Sequence, residues 1–428
     1  MDSLPQKPPG RNIPRGLVIG LVGVVVLLGL ILLLRLTVQP PQQTGAPAGQ
    51  TDALANSTDA CVECHRRASP GIVSEFGHSA MAAAKVSCEN CHEVAKDYPG
   101  AVAHEGSYVL ATPTTAMCQK CHPAEVAQFD QSRHALPAWV AYTGSKDLSP
   151  ALMAQYQAIP EGQFAPDKER NAVAALEGPG ITGVACEVCH SVGKPAADQS
   201  VGECQKCHLR HEFSLAQARQ PETCNACHIG PDHPQWEIYT ESPHGIMYAT
   251  NKASFNLGAD PGTLTVKDFP APTCATCHMS GFGGAATTHD VGDRLTWFLF
   301  SSVSVRRPAW QDNKVRMETV CLECHNQTFI DNFYTSADAA TNTVNDLVNQ
   351  AVATTKPLYD QKILSSTAFD DPIKFTEFEL WHHYGRTAKF GTWMQGPDYT
   401  QWHGAYEVMK DLVELKSETQ QKLQAAGK

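Results

Sequence analysis

The stretch "CQKCHLRHEFSLAQARQPETCNACHIGPDHPQWEIYTESPHG", residues 204–245, holds two C-x-x-C-H motifs in close succession and then sets Asp232 and His233 side by side between two prolines. A C-x-x-C-H turn lets two thiols add to the vinyl groups of a haem while the adjacent imidazole binds its iron. The motif recurs eight times and uses all 16 cysteines. The thioether pairs are Cys61 and Cys64, Cys88 and Cys91, Cys118 and Cys121, Cys186 and Cys189, Cys204 and Cys207, Cys224 and Cys227, Cys274 and Cys277, and Cys321 and Cys324. The proximal ligands that follow them are His65, His92, His122, His190, His208, His228, His278 and His325. Paired C-x-x-C units also build zinc sites, but zinc does not require a histidine directly after every second cysteine. No thiol is left for a disulfide. Eight covalently bound c-type haems are therefore expected.

This count sets the fold class. Residues 61–428 are 368 residues shared among eight motifs, or 46 each, so porphyrins must supply much of the apolar core. Successive motifs begin 27, 30, 68, 18, 20, 50 and 47 residues apart, and the segments between them carry short helical signals. Alternation suited to strands is confined to fragments such as "LTVKDF" at 264–269. After the last motif the helical pattern strengthens, with a stripe of Val344, Leu347, Val348, Ala351 and Val352 and a second of Val408, Leu412 and Leu415. The expectation is a mostly α multihaem cytochrome c body with packed haems and a C-terminal helical section, preceded by one N-terminal transmembrane helix.

Leu17 to Leu34 is an unbroken apolar run of 18 residues, long enough to span a bilayer core. Lys7, Arg11 and Arg15 precede it, which places the first residues in the cytoplasm and the rest outside. A cleaved signal peptide is the competing reading, with "APA" at 46–48 as the cleavage site, although it lies well past the apolar run. The expected organisation is a cytoplasmic N-terminus at 1–16, a signal anchor at 17–36 and a flexible Pro-, Gln- and Gly-rich linker at 37–60. An octahaem-binding domain at 61–330 and a C-terminal helical section at 331–428 complete it. The expected location is the inner membrane, single-pass, with the haem domain in the periplasm. The net charge of −11, with no basic patch, excludes nucleic acid as a partner.

A haem with histidine on both faces passes electrons; one with only a proximal histidine has an open position for substrate. Ten of the 18 histidines are not proximal. His78, His104, His134, His211, His244, His289, His382, His383 and His403 are distal-ligand candidates, the last three competing for one position. His233 stands apart because a carboxylate adjoins it. Pro231 and Pro234 restrict the backbone presenting the pair, and Gly230 gives the approach freedom to turn. The structural alternative makes His233 another distal ligand and Asp232 the cap of a helix starting near Pro234.

The stretches "CHIGPDHPQWEIYTESPHG" (227–245), "THDVGDRLTWFLF" (288–300) and "HHYGRTAKFGTWMQGPDYTQWHGAYE" (382–407), with the eight-haem count, resemble the octahaem hydroxylamine oxidoreductase family, including relatives that run nitrite and hydroxylamine chemistry reductively. The resemblance covers roughly residues 61–410. It implies that the fourth motif, Cys186, Cys189 and His190, holds the active haem, that Asp232 and His233 lie over its open face and move protons, and that the assembly is a homotrimer. In oxidative members a C-terminal tyrosine of a neighbouring subunit is joined to that haem; Tyr399 and Tyr406 lie in the right region, and neither aligns securely with the linking position. The implied activity interconverts hydroxylamine and nitrite or NO, small nitrogen compounds, at one open haem fed by seven bis-histidine haems. The redox partner would be quinone-linked or a soluble cytochrome, and the anchor, holding the body beside the quinone pool, favours reduction. The alternative is a non-catalytic conduit with every haem six-coordinate.

Overall fold

In each motif one turn of chain carries the chemistry. Its backbone closes as a helical turn, with the histidine N–H donating to the first cysteine's carbonyl: 2.9 Å for His122 to Cys118, 3.0 Å for His208 to Cys204 and for His228 to Cys224, and 2.9 Å for His325 to Cys321. Positions i, i+3 and i+4 of such a turn share one face, so both thiols and the imidazole point the same way. Cys88–His92 and Cys274–His278 are separate five-residue helices. Side chains cap them locally: Asn90 Oδ1 accepts from Ser87 N at 2.8 Å, and Thr276 Oγ1 from Thr273 N at 3.1 Å.

The computed structural model describes residues 52–159 and 165–427. Asp52 onward forms one unit, so the motifs and the C-terminal helices fold together. The expected cytoplasmic terminus and signal anchor lie outside the described residues, as does the linker up to residue 51. Among the described residues no single helix is long and apolar enough to cross a membrane.

The described residues are mostly helical, with two small antiparallel hairpins, Val102–His104 with Ser107–Val109 and Trp297–Phe298 with Val305–Arg306. The "LTVKDF" fragment forms no strand; Leu264 makes a lone bridge to Phe282, and the side chains of Leu264 and Phe269 are buried in a core cluster with Tyr239 and Tyr248. Thr265, Val266 and Lys267 between them are exposed, so the alternation of the sequence does not correspond to alternating burial.

The longest helix, Gln327–Asp360, starts on Asn326, whose side chain accepts from Phe329 N at 2.9 Å. Apart from Asn345, which bonds the backbone of Ser304, its buried residues are Ile330, Tyr334, Ala337, Thr341, Val344, Val348, Ala351, Thr355 and Leu358, spaced alternately four and three apart. That is the seam of a coiled coil. Helix Tyr406–Ala425 answers with Val408, Leu412 and Leu415, and one apolar cluster joins the two. Val352, expected on the seam, is half exposed because a 3.5-residue period leaves it outside.

Between these two helices the chain runs through Pro372–Glu379, the π-helical turn Leu380–Gly385, and helix Arg386–Trp393. A second π turn, Gln401–Ala405, leads into the last helix. Such turns are rare and concentrate at functional sites. The first one carries His382 and His383.

Candidate functional site: a cavity lined by eight haem motifs

One continuous cavity of about 4020 Å³ is lined by at least one cysteine of each of the eight motifs. That is several times a typical ligand pocket of about 300–1,000 Å³, or about 500 Å³ for each motif. Motifs distant in sequence touch within it: Cys118 meets Cys204, Cys189 meets Cys227, and Cys224 meets Cys274. All 16 cysteines are unbridged.

The histidines supply the sharper test of fit. Two imidazoles binding one metal from opposite faces, each at about 2 Å, hold their ring centroids about 6 Å apart. Five proximal histidines face a distal candidate at that spacing. His65 stands 6.0 Å from His104, His92 6.4 Å from His211, His228 5.9 Å from His134, His208 6.4 Å from His289, and His325 6.2 Å from His244. Supporting contacts fix the tautomers: His92 Nδ1 donates to Leu110 O at 2.7 Å and His190 Nδ1 to Ala138 O at 2.5 Å, which frees Nε2 for iron. Burial lowers the His134 imidazole to about 3 and His278 to about 4, keeping both neutral, the form that binds metal. Arg294, almost fully buried, donates to the carbonyls of Thr276, Cys277, Ser280 and Ala286 and fastens the seventh motif to the loop after it. The residues fit c-type haems at every point where a partner is in place.

Four distal candidates face no proximal ring at that spacing among the described residues. His78 donates Nδ1–H to Ser74 O at 2.6 Å, which leaves its Nε2 free as in His92. His403 pairs with Asp398 at 2.8 Å and stacks on Tyr399. His382 and His383 join a polar cluster around Asp232. No ring contact from these four to His122 or His278 is present among the described residues. Tyr399 and Tyr406 do not line the cavity within this chain.

The fourth motif differs from the five pairs. His233 crosses the ring of His190 nearly edge-on at 6.5 Å, but it also lies 6.1 Å from His228 and 5.3 Å from Phe300. Gly230, at φ +78°, turns the chain into this segment. Helix Gln235–Glu241 begins at Pro234 without a side-chain cap, so Asp232 is free of that duty.

Asp232 adjoins His233 in sequence, yet its Oδ1 lies 2.8 Å from His382 Nδ1 and 3.1 Å from His383 Nε2. Neither contact has the alignment of a hydrogen bond, so both are electrostatic. The reason for the separation is local: residues 230–233 form a tight turn, closed by His233 N–H donating to Gly230 O at 3.2 Å, and the turn presents Asp232 and His233 to different partners. Arg386 completes the cluster, its Nη1 2.9 Å from His382 Nε2 and its Nε donating to Phe300 O at 2.9 Å. Lys389, fully buried, donates to Ser301 O, Ser302 O and Ser304 Oγ, holding the loop that carries Phe300. Charge balance follows. Burial would push the Asp232 carboxyl up, but His382 and His383 outweigh it and hold it well below the usual carboxylate range. Burial, with the charge of His228, lowers His233 to about 3. Burial also pushes Arg386 down, to about 10, against the pull of Asp232. Sequence reasoning missed Arg386 and Lys389; the quoted stretch 382–407 contains both, but nothing in its pattern told a pocket cation from a surface one.

The family model for multihaem cytochromes with repeated CxxCH motifs matches residues 84–372. The chain belongs to the multihaem cytochrome CxxCH family. The matched span holds seven of the eight motifs and omits the one at Cys61. A relative described as a probable nitrite reductase-hydroxylamine oxidoreductase fusion protein of Kuenenia stuttgartiensis is 32% identical over 263 residues, 54% of this chain. The match covers only 27% of that relative's length. Among solved structures, a hypothetical multiheme protein superposes with a TM-score of 0.74 at 21% identity, over 89% of this chain and all of that one. A reducing HAO-like protein complex of Kuenenia stuttgartiensis superposes at 0.63 and 20% identity, over 86% of this chain and 85% of that one. The fold of this multihaem cytochrome is thus shared with HAO-like proteins. Its cysteines carry covalently bound c-type haems, and its general chemistry is electron transfer.

Proposed function

We propose that this cytochrome binds eight haems and interconverts hydroxylamine and nitrite or NO at the haem of the fourth motif. The observation that carries the reading is the company kept by His190. The five paired proximal histidines each face an imidazole at bis-histidine spacing, whereas the side of His190 is met by His233 with Asp232, His382, His383 and Arg386 behind it. A single distal ligand needs no such cluster; a reaction that moves several protons does. A haem held by Cys186, Cys189 and His190 would supply an iron with an open position and one-electron steps. His233, kept neutral by burial, accepts and returns a proton at its free ring nitrogen. Asp232 holds fixed negative charge beside it, Arg386 favours a bound anion, and Phe300 closes the wall. The five histidine pairs serve as closed relays for electrons.

The remaining parts of the reading are an N-terminal anchor at 17–36 that holds the haem domain on the periplasmic side, a quinone-linked or soluble cytochrome partner, and a homotrimeric assembly. The reductive direction is preferred, since an anchored body lies next to the quinone pool and Arg386 suits nitrite better than neutral hydroxylamine.

One observation favours a second reading. The 6.5 Å between His190 and His233 is only slightly longer than the five pairs, as an all-closed electron conduit would require. Turnover separates the two. The purified haem protein, supplied with a reduced dye and nitrite, or with hydroxylamine and an electron acceptor, should turn over; a protein that exchanges electrons with the dyes but consumes neither compound is the conduit.

A further inference from the structure

Arg386 lies one turn beyond His382, and its Nη1 is 2.9 Å from His382 Nε2. A guanidinium has donors only and stays charged, so Nε2 of His382 is the accepting nitrogen and the neutral ring carries its proton on Nδ1. That nitrogen is the one 2.8 Å from Asp232 Oδ1. Two lone pairs would not remain so close, whereas the positive N–H end of the ring beside a carboxylate is attracted to it. His383 reaches the same oxygen from its Nε2 at 3.1 Å. Adjacent residues of a regular α-helix diverge by about 100°, and the π turn Leu380–Gly385 is what lets both rings converge.

We propose that His382, with its tautomer set by Arg386, and His383 are positioning residues that clamp the Asp232 carboxylate in the pocket beside the fourth haem motif. The proposal rests on Asp232 serving the open haem. The clamp holds the carboxylate on the side away from His233 and leaves that imidazole free for substrate.

The same three side chains bring one ligand atom each within 4.8 Å of one another, the makings of a cation site, and two imidazoles with a carboxylate suit several transition metals. Arg386 argues against it. A cation at His382 Nδ1 would have to displace the proton there while Nε2 still accepts from the guanidinium, leaving a doubly deprotonated ring. Charge attraction between the rings and the carboxylate, with the Arg386–His382 hydrogen bond, holds the four groups together without that cost.

The test uses the haem-loaded protein and the variants His382→Leu, His382→Asn, His383→Leu, Arg386→Met and Asp232→Asn. His382→Leu and Arg386→Met should lower kcat roughly 10- to 100-fold, the usual effect of removing a supporting partner, with a smaller change in KM and unchanged haem content. His382→Asn keeps a donor near the place of Nδ1–H and should recover most of the loss, which a merely space-filling role would not show. Should one variant fail to load haem, the others carry the same comparison. Slowing by Asp232→Asn with normal turnover in His382→Leu, His383→Leu and Arg386→Met overturns the clamp and leaves the proton-handling role standing. Normal turnover in all five overturns both. A stoichiometric non-haem zinc, iron, copper or manganese that disappears in His382→Leu also overturns the clamp, in favour of a metal site.

Discussion

Asp232 and His233 are neighbours in sequence and face different parts of the pocket: the carboxylate lies 2.8 Å from Nδ1 of His382, while the imidazole packs 5.3 Å from Phe300 and crosses His190. The pair therefore divides its labour, fixed charge on one side and a free ring on the other.

That division predicts distinct losses. His233→Ala should keep every haem attached and reducible, yet slow turnover of nitrite or hydroxylamine by roughly 10² to 10⁴, the worth of a placed acid or base. Steady-state kinetics beside a haem stain checks it; unchanged turnover would remove His233 from the reaction.

Closed relays respond differently. His289→Ala should convert one low-spin haem to high-spin by uncovering the iron bound by His208, because the two rings stand 6.4 Å apart. His403→Ala should leave the spectrum unchanged, since that ring is engaged by Asp398 and Tyr399. Magnetic resonance of both variants distinguishes them, and a spectrum altered by His403→Ala alone would reverse the assignment.

Much of this was legible in the sequence. C-x-x-C-H is a local code, so the attachment positions and the helical turn that presents them follow without tertiary information. The C-terminal stripes also read correctly at Val344, Val348, Leu412 and Leu415, because burial along a helix leaves a period. What could not be read is convergence. The partners of Asp232 come from a π turn far along the chain, and no helical period signals such a turn. His104, His211 and His289 reach proximal rings through loops and a hairpin edge, where spacing carries no distance. Asp232 and His233 show the same limit: adjacency in sequence does not say which partners each side chain meets.

The C-terminal helices should carry stability independent of haem. Leu415 is fully buried between Gln327–Asp360 and Tyr406–Ala425. Leu415→Ala should cost about 2–5 kcal/mol through lost burial and the cavity left behind. Thermal unfolding measures this, with visible spectra expected to stay unchanged before the transition.

Asp411 supplies a pH signature in the same helix. Burial first, and neighbouring Glu379, Glu407 and Glu414 with it, raise its carboxyl to about 6, against the pull of Lys410. A carboxyl raised on folding contributes stability that is complete below its unfolded value of about 4 and is lost as pH rises through about 6. Asp411→Asn lacks that dependence and should therefore gain stability over the parent between pH 4 and pH 7, by roughly 1–2 kcal/mol. Melting temperatures at the two pH values check it; an equal difference at both would mean the side chain titrates normally.

In the proposed function, the haem of the fourth motif has an open face at which substrate binds. Low-temperature magnetic resonance of the oxidised protein, before and after addition of nitrite or hydroxylamine, tests this most directly. The predicted result is a high-spin ferric signal that changes on addition of either compound while the low-spin signals remain. A spectrum that is wholly low-spin and unmoved by both compounds would contradict the account and leave an electron conduit with every iron closed.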